Sequence, residues 1–432
     1  MSERNVSIKV PILARVEGEG ALHLEIKDNQ IEKLQFSIYE PPRFFEKFLE
    51  GRSYTEVPDI VARICGICPV AYQVSAVNAI ETAFALHVDP WVTEMRRLLY
   101  FGEWIESHAL HIHLLAAPDF FGCESGIALA KEYPHEVKRG LQLQGLGNEI
   151  MRLMGGRSVH PIGVKVGGFH KAPALEDVDN LLAKLEDTLP DAEAMVEWIA
   201  AIELPDNRQN FINVALSNKT PSYAIENGVL KTSNGLALSP DQYDSHFSES
   251  HASHSTALWS RLDGQPYLVG PLARLNLNYD KLRGADARQF ARYAGHFPSH
   301  NMFDSMLARG LEICFALREA IRILSHYRMP HKASVEVVPQ ASEGAGWSEA
   351  PRGLLWHRYL LDEEGIVRAA KIVPPTSQNQ ARIEEDLRQS LQAFGLQHSD
   401  DALRLHCEKV VRNYDPCISC ATHFLKLSTV RR

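Results

Sequence analysis

Two cysteine doublets at opposite ends of the chain restrict its fold more than anything else in it. Near the start stands Arg63-Ile64-Cys65-Gly66-Ile67-Cys68. Near the finish stands Asp415-Pro416-Cys417-Ile418-Ser419-Cys420, followed by Ala421-Thr422-His423. Four thiols can serve one centre only if the fold returns its two ends to a common point. As soft ligands they suit zinc, iron, nickel or iron–sulfur clusters. A structural zinc site is the commonest use of two such doublets, but zinc modules pair them roughly 15–20 residues apart. Here nearly the whole chain intervenes. A thioredoxin-like pair at Cys65 and Cys68, placed before a helix, would leave the second doublet unexplained. These readings stand beside a shared catalytic metal site.

The remaining cysteines, Cys123, Cys314 and Cys407, are scattered singly. Seven in all make a poor disulfide framework and read as packing residues plus metal ligands in a reducing compartment. The formal charge of −9 argues against a nucleic-acid partner, which needs a basic face. No apolar run is long enough to span a bilayer, and Met1 to Asn5 lacks a secretory pattern, so a cytoplasmic location is expected.

Along the chain, Val6 to Leu13, Ala21 to Lys27 and Ile31 to Tyr39 alternate as strands, with Asp28-Asn29 a tight turn. Helical spacing covers Pro69 to Leu86, Trp91 to Ala116 with Pro118 marking its end, His135 to Met154, and Leu175 to Ile202. Residues 206–280 read as an irregular β-rich excursion. Helices resume at Asp286 to Phe297 and Met302 to Tyr327. Ala333 to Val338 reads as a strand and Gly353 to Val373 as a hairpin around Asp362 to Gly365. Asn379 to Phe394 and Asp400 to Tyr414 close the helical part. The expected fold class is α+β and helix-dominated: a large central helical bundle with peripheral strands, both cysteine motifs meeting at a buried metal site. All 432 residues read as one large domain: an N-terminal β region 1–40, a helical core 41–205, the excursion 206–280, a second helical and hairpin part 281–423, and an extension 424–432.

The residues around the doublets carry a resemblance. Arg63, Asp415-Pro416 and His423 resemble the two signature motifs of nickel–iron hydrogenase large subunits. Arg15-Val16-Glu17-Gly18, the Gly156 to Gly168 loop with His160-Pro161, Glu349-Ala350-Pro351-Arg352-Gly353, and Val373 to Asn379 follow in the family's order. These landmarks reach from residue 15 to residue 423, and the wording looks most like the soluble, cytoplasmic, NAD(P)-linked branch.

The resemblance implies a nickel–iron centre with carbon monoxide and cyanide on the iron. Cys65, Cys68, Cys417 and Cys420 would all hold nickel, Cys68 and Cys420 bridging to iron. Dihydrogen would be split heterolytically, with Cys417 taking the proton and Glu17 passing it on. Arg352 would be suspended over the metals, Asp119 would support that arginine, and Thr376 would hydrogen-bond a cyanide. Glu46, His423 and the carbonyl of Ile372 would bind magnesium. Tyr72 departs from the pattern, standing where the family often has a His that donates to a bridging sulfur. His108, His111 and His113 read as core-lining or solvated rather than as ligands.

The resemblance also implies partners. An iron–sulfur small subunit must take the electrons, since this chain has no spare cysteine set for a relay cluster. Flavin and NAD(P)-handling subunits are expected because no glycine-rich dinucleotide fingerprint follows a strand here. Nickel-insertion proteins and a maturation protease, removing Phe424 to Arg432, complete the set. Two alternatives of other classes are a non-catalytic subunit related to the core of respiratory NADH dehydrogenase, which has lost the metal cysteines, and a zinc-stabilised binding protein.

Overall fold

The computed structural model describes residues 5–284 and 287–422; His423 and the extension beyond it lie outside the described residues. Three antiparallel strands open the chain, β1 (Val6–Val10), β2 (Gly20–Lys27) and β3 (Gln30–Ile38). Asp28 and Asn29 sit at φ 50° and 63° between the last two. Both residues tolerate the left-handed region, and the resulting turn matches the right-handed twist of the strands. Alternate buried positions, Leu22, Leu24, Phe36 and Ile38 among them, turn one face of this sheet to the core.

Five long helices build the centre: α1 (Pro69–Ala83), α2 (Pro90–Leu110), α3 (Pro134–Gly155), α4 (Leu175–Ala200) and α5 (Ser305–Ser325). Helix α1 is apolar on nearly every side, and all but two of its residues are buried, so it runs through the core instead of lining it. Helices α2 and α3 pack against each other, and α5 packs on both α2 and α4. The helix α2 does not stop before Pro118. Its pitch widens to a π-turn over His111–Ala116 and a last segment runs Ala117–Phe120. Pro118 falls in the first turn of that segment, where its missing N–H costs little.

A second antiparallel sheet, β4 (Ser342–Ala350), β5 (Gly353–Leu361) and β6 (Val367–Val373), lies on α1. Gly344 and Gly346 make that contact possible, since a Cβ on either would meet the backbone of Ala79 at 2.3–2.4 Å. Helices α6 (Pro375–Phe394) and α7 (Asp400–Asn413) close the described chain, α7 capped by the Ser399 side chain.

The fold is α+β with helices dominant, as expected. Some elements differ. Ala333 to Val338 contributes one isolated bridge, Ser334 to Gly168, and no strand. Among the described residues of the segment expected from Asp286 to Phe297, Ala287–Arg292 is helical and a 3-10 turn follows at Ala294–His296. The β-rich excursion does hold short strands, and its Tyr243, Phe247 and Tyr267 share a small core with Trp347, Leu354 and Trp356 of the second sheet. It also ends in an unexpected helix, Pro271–Asn278. No described helix is long and apolar enough to cross a membrane.

Candidate metal centre

The two doublets meet. The first leaves a 3-10 turn at Ala62–Ile64 and runs into α1, so Cys68 occupies the N-cap position of a fifteen-residue helix. Cys65 Sγ accepts the N–H groups of Ile67 and Cys68 at 3.3 and 3.1 Å. The second doublet follows α7 through Asp415, whose φ of 55° turns the chain inward. Sγ of Cys65 lies 3.4 Å from that of Cys417, Cys68 lies 3.6 Å from Cys420, and Cys417 lies 2.8 Å from Cys420. All four sulfurs fall within 4.8 Å of one another, and none of the four residues is more than 3% exposed.

Burial pushes the thiols of Cys68, Cys417 and Cys420 up. At Cys65 burial is outweighed by hydrogen bonds from the other three thiols and by the Arg352 charge, and that thiol alone is drawn down. Four sulfurs crowded away from water, of which protons satisfy only part, are a donor set for soft cations. Zinc, nickel and iron all fit the donors. What a purely structural zinc site has no use for is the reactive company these sulfurs keep.

Glu17 is the first of that company. Its segment pairs with Cys417 as a parallel bridge, and its carbonyl accepts the Ile418 N–H at 3.0 Å. Its Oε2 accepts the Ser419 N–H at 3.1 Å, two residues past Cys417. Burial, then the Cys65 charge, raises its pKa above the ordinary carboxylate range. Gly18 permits the close approach, sitting at φ 88° with Ile418 Cβ only 2.7 Å from where its own Cβ would be.

Arg352 comes in on a two-residue turn. Ala350 pairs with Gly353 across β4 and β5, leaving Pro351 and Arg352 at the tip. Arg274 grips that tip, donating to the carbonyls of Ala350 (2.8 Å) and Pro351 (3.1 Å) while Glu312 holds it bidentately. Arg352 Nε donates to the Asp415 carbonyl at 2.8 Å, and Nη2 to Asp415 Oδ1 at 3.0 Å. Nη1 is buried with no hydrogen-bond partner among the described residues. Its charge reaches Cys417, Cys68 and Cys65.

The carboxylate that supports Arg352 is therefore Asp415 and not Asp119. Asp119, just past the π-turn, instead ties the two ends of the chain together. It accepts from Arg15 Nη2 at 2.5 Å and from Arg412 Nε and Nη2 at 2.7 and 2.8 Å. Arg15 precedes Glu17 and Arg412 precedes Cys417, so one carboxylate fixes both approaches to the sulfurs.

Thr376, in the first turn of α6, accepts the Cys417 N–H at 3.0 Å. Tyr72 is fully buried on α1, its hydroxyl without a partner among the described residues and within reach of the charges of all four cysteines. Glu46, on a short helix at Phe45–Leu49, accepts the Ile372 N–H at 2.7 Å, which places two of the three expected magnesium ligands side by side. The third, His423, lies outside the described residues. The histidines of α2 are core residues: His108 bonds Glu312, His111 bonds the Arg412 carbonyl, and His113 stacks on Trp198. Sequence reasoning missed Asp415 as a partner, Arg274, and two buried glutamates of α2. Glu103 accepts the N–H groups of Val70 and Ala71 (2.6 and 3.1 Å) at the start of α1, and burial raises Glu106 to about 7.

Comparison with known proteins agrees with this geometry. A family model described as nickel-dependent hydrogenase matches residues 43–137 and 223–423. The chain is 33% identical to sulfhydrogenase 1 subunit alpha of Pyrococcus furiosus, over 99% of this chain and all of that protein. It is 26% identical to the NAD-reducing hydrogenase HoxS subunit beta of Cupriavidus necator, over 96% of this chain and 94% of that one. A crystal structure of an NAD+-reducing [NiFe]-hydrogenase in its H2-reduced state superposes with a TM-score of 0.88, at 27% identity, covering 97% of this chain and 99% of that one.

Proposed function

The chain belongs to the nickel-dependent hydrogenase family, and on that premise we propose that it is the catalytic large subunit of a cytoplasmic nickel–iron hydrogenase. It is an oxidoreductase acting on dihydrogen. The observation that carries the catalytic reading is the buried four-sulfur cluster with Glu17 paired to Cys417 along the backbone and its carboxyl held by the Ser419 N–H. Retention of all four thiols sets it apart from a non-catalytic subunit that has lost them.

The four thiolates would hold nickel, with Cys68 and Cys420 shared with iron, and the bound metals supply the polarisation that splits dihydrogen heterolytically. This chain's residues manage the proton. Cys417 Sγ is the first acceptor, and the Glu17 carboxyl, its pKa raised by burial, takes the proton from it. Arg352 Nη1 keeps a fixed cationic donor beside the sulfurs, aimed by Asp415 and the Arg274 grip. Thr376 Oγ1 uses one lone pair on Cys417 N–H and keeps its own proton to donate, which suits a cyanide on the iron. Glu46 and the Ile372 carbonyl, with His423, are the magnesium ligands in this reading.

Electrons leave through an iron–sulfur small subunit and pass to NAD(P) in this reading. It is supported by the resemblance to NAD-reducing enzymes in both sequence and fold. The test is the purified native complex. Nickel and iron should both be present, and dihydrogen should reduce NAD+ or NADP+; zinc alone, or reduction of polysulfide only, would reject the respective half. Glu17→Gln should abolish exchange between deuterium gas and water while metal content stays intact. Normal exchange would remove Glu17 from the pathway.

A further inference from the structure

Glu349 stands three residues before Arg352, near the end of β4, and is fully buried. A carboxyl so placed is costly unless its oxygens are satisfied. Both are: Oε1 accepts the Leu216 N–H at 2.7 Å, and Oε2 accepts Arg274 Nη1 at 3.2 Å. The same Nη1 donates to the Ala350 carbonyl, while Nη2 reaches the Pro351 carbonyl and Glu312 Oε2. Arg274 thus joins two carboxylates, Glu312 of α5 and Glu349 of the strand that carries the turn. It also lies over the Trp104 ring, 4.4 Å from its centroid, and Trp104 Nε1 donates to the Glu349 carbonyl at 2.9 Å.

We propose that Glu349 is a positioning residue for the hydrogenase reaction: as a carboxylate it locks Arg274 onto the turn at Ala350 and Pro351, and so fixes where Arg352 presents Nη1. The inference rests on the reading of Arg352 as the fixed cationic donor beside the sulfurs. Two donors, Leu216 N–H and Arg274 Nη1, converge on the two oxygens, and only the ionised form meets both without a proton of its own. Glu312, holding Arg274 bidentately, already neutralises it. What the second carboxylate adds is geometry, an anchor on the strand itself. Burial, opposed by Arg274 and the Leu216 N–H, raises Glu349 to about 7, so the anchor is ionised above neutral pH and protonated below it. The titratable groups facing it lie well away from that range. Burial lowers His108 of α2 to about 4 and drives the hydroxyls of Tyr100 and Tyr223 up; at Glu312 burial is outweighed by Arg274, leaving about 2.

The test compares Glu349→Gln, Arg274→Lys, Arg352→Lys and the double variant Glu349→Gln/Arg352→Lys in the native complex, each with its nickel and iron measured. Gln is isosteric but must turn an N–H toward one of the two donors; Lys keeps the charge opposite Glu312 and gives up the fork. At about pH 8, Glu349→Gln should lower hydrogen turnover by about a hundredfold. It should also shift the infrared bands of the cyanide ligands with both metals retained. In the double variant it should add nothing to Arg352→Lys, because it acts through that residue. The ratio of wild-type to Glu349→Gln turnover should fall toward one between about pH 8 and about pH 5.5, since protonation does to the wild type what the substitution has already done. Groups common to both, Glu17 and Glu106 included, cancel in the ratio. Normal turnover in Glu349→Gln where Arg352→Lys is slow overturns this inference alone, as does a double variant slowed by the product of the two single effects. Normal turnover in Arg352→Lys overturns the reading of Arg352 with it. Arg274→Lys should reproduce the loss, and it decides the matter if Glu349→Gln fails to load nickel. If neither variant loads nickel, the cluster is structural and the proposal falls.

Discussion

Asp119→Asn tests the idea that one carboxylate holds both approaches to the sulfurs. Asp119 and Arg412 are 3% and 1% exposed at the side chain and Arg15 is 14% exposed, so solvent does not screen the pairs. Removing one partner of a buried ion pair costs about 3–5 kcal/mol, because the other charge is left buried. Here Arg412 keeps Glu408 at 3.0 Å and Arg15 keeps the Leu115 carbonyl at 2.7 Å. The lower end, about 3 kcal/mol, is the better figure. With an unfolding entropy of roughly 2.1 cal/mol/K per residue, that lowers Tm by roughly 3–4 °C for a chain of this size. Calorimetry on the metal-loaded complex reads the shift. Deuterium–water exchange, read alongside, should fall with nickel retained, since Arg15 sets the turn that carries Glu17. A variant with unchanged Tm and normal exchange would show that Asp119 fixes neither segment.

Two further outcomes follow from buried groups on α1 and α2. Burial, only partly offset by a 3.4 Å contact from Gln144, raises Glu106 to about 7. A carboxyl whose folded pKa lies above its unfolded value contributes stability that is full below about 4.5 and lost as pH rises through about 7. Glu106→Gln should therefore flatten the pH dependence of Tm between about pH 5 and 8 and raise Tm at the alkaline end; a steeper profile would contradict this. Tyr72→Phe removes a buried hydroxyl that has no hydrogen-bond partner among the described residues and stands within reach of the charges of the four cysteines. Losing the hydroxyl dipole beside the loaded centre leaves the thiolates more electron-rich, so the midpoint potential should fall in a redox titration. An unmoved potential would mean the hydroxyl does not reach sulfur.

Much of this was legible in the sequence because strong local signals happened to coincide with the chemistry. Alternation gave the first three strands, and the doublet flanks pointed to Glu17, Arg352 and the four cysteines as one group. The strand Ser342–Ala350 was missed because Ser-Glu-Gly-Ala-Gly-Trp carries no β-branched residue; its glycines answer to the backbone of α1, a tertiary demand that leaves no period. Ala333 to Val338 erred the other way, with β-favouring residues and nothing to pair with beyond one bridge at Gly168. The exchange of Asp119 for Asp415 beside Arg352 had no signal at all. Which buried carboxylate meets which guanidinium depends on where the π-turn and the left-handed Asp415 aim them.

That meeting has a consequence for how the protein is assembled. Cys65 and Cys417 are 352 positions apart, and closing so large a loop costs about 5 kcal/mol of chain entropy. During synthesis the first two thiols are made long before their counterparts and can offer any passing metal only half a cage. A complete binding site exists only after the intervening helices have packed and the terminal segment has docked under Arg15 and Asp119. Loading of the centre is thus timed by folding, and a cation captured early by Cys65 and Cys68 alone would be held by too few ligands to compete with the finished pocket.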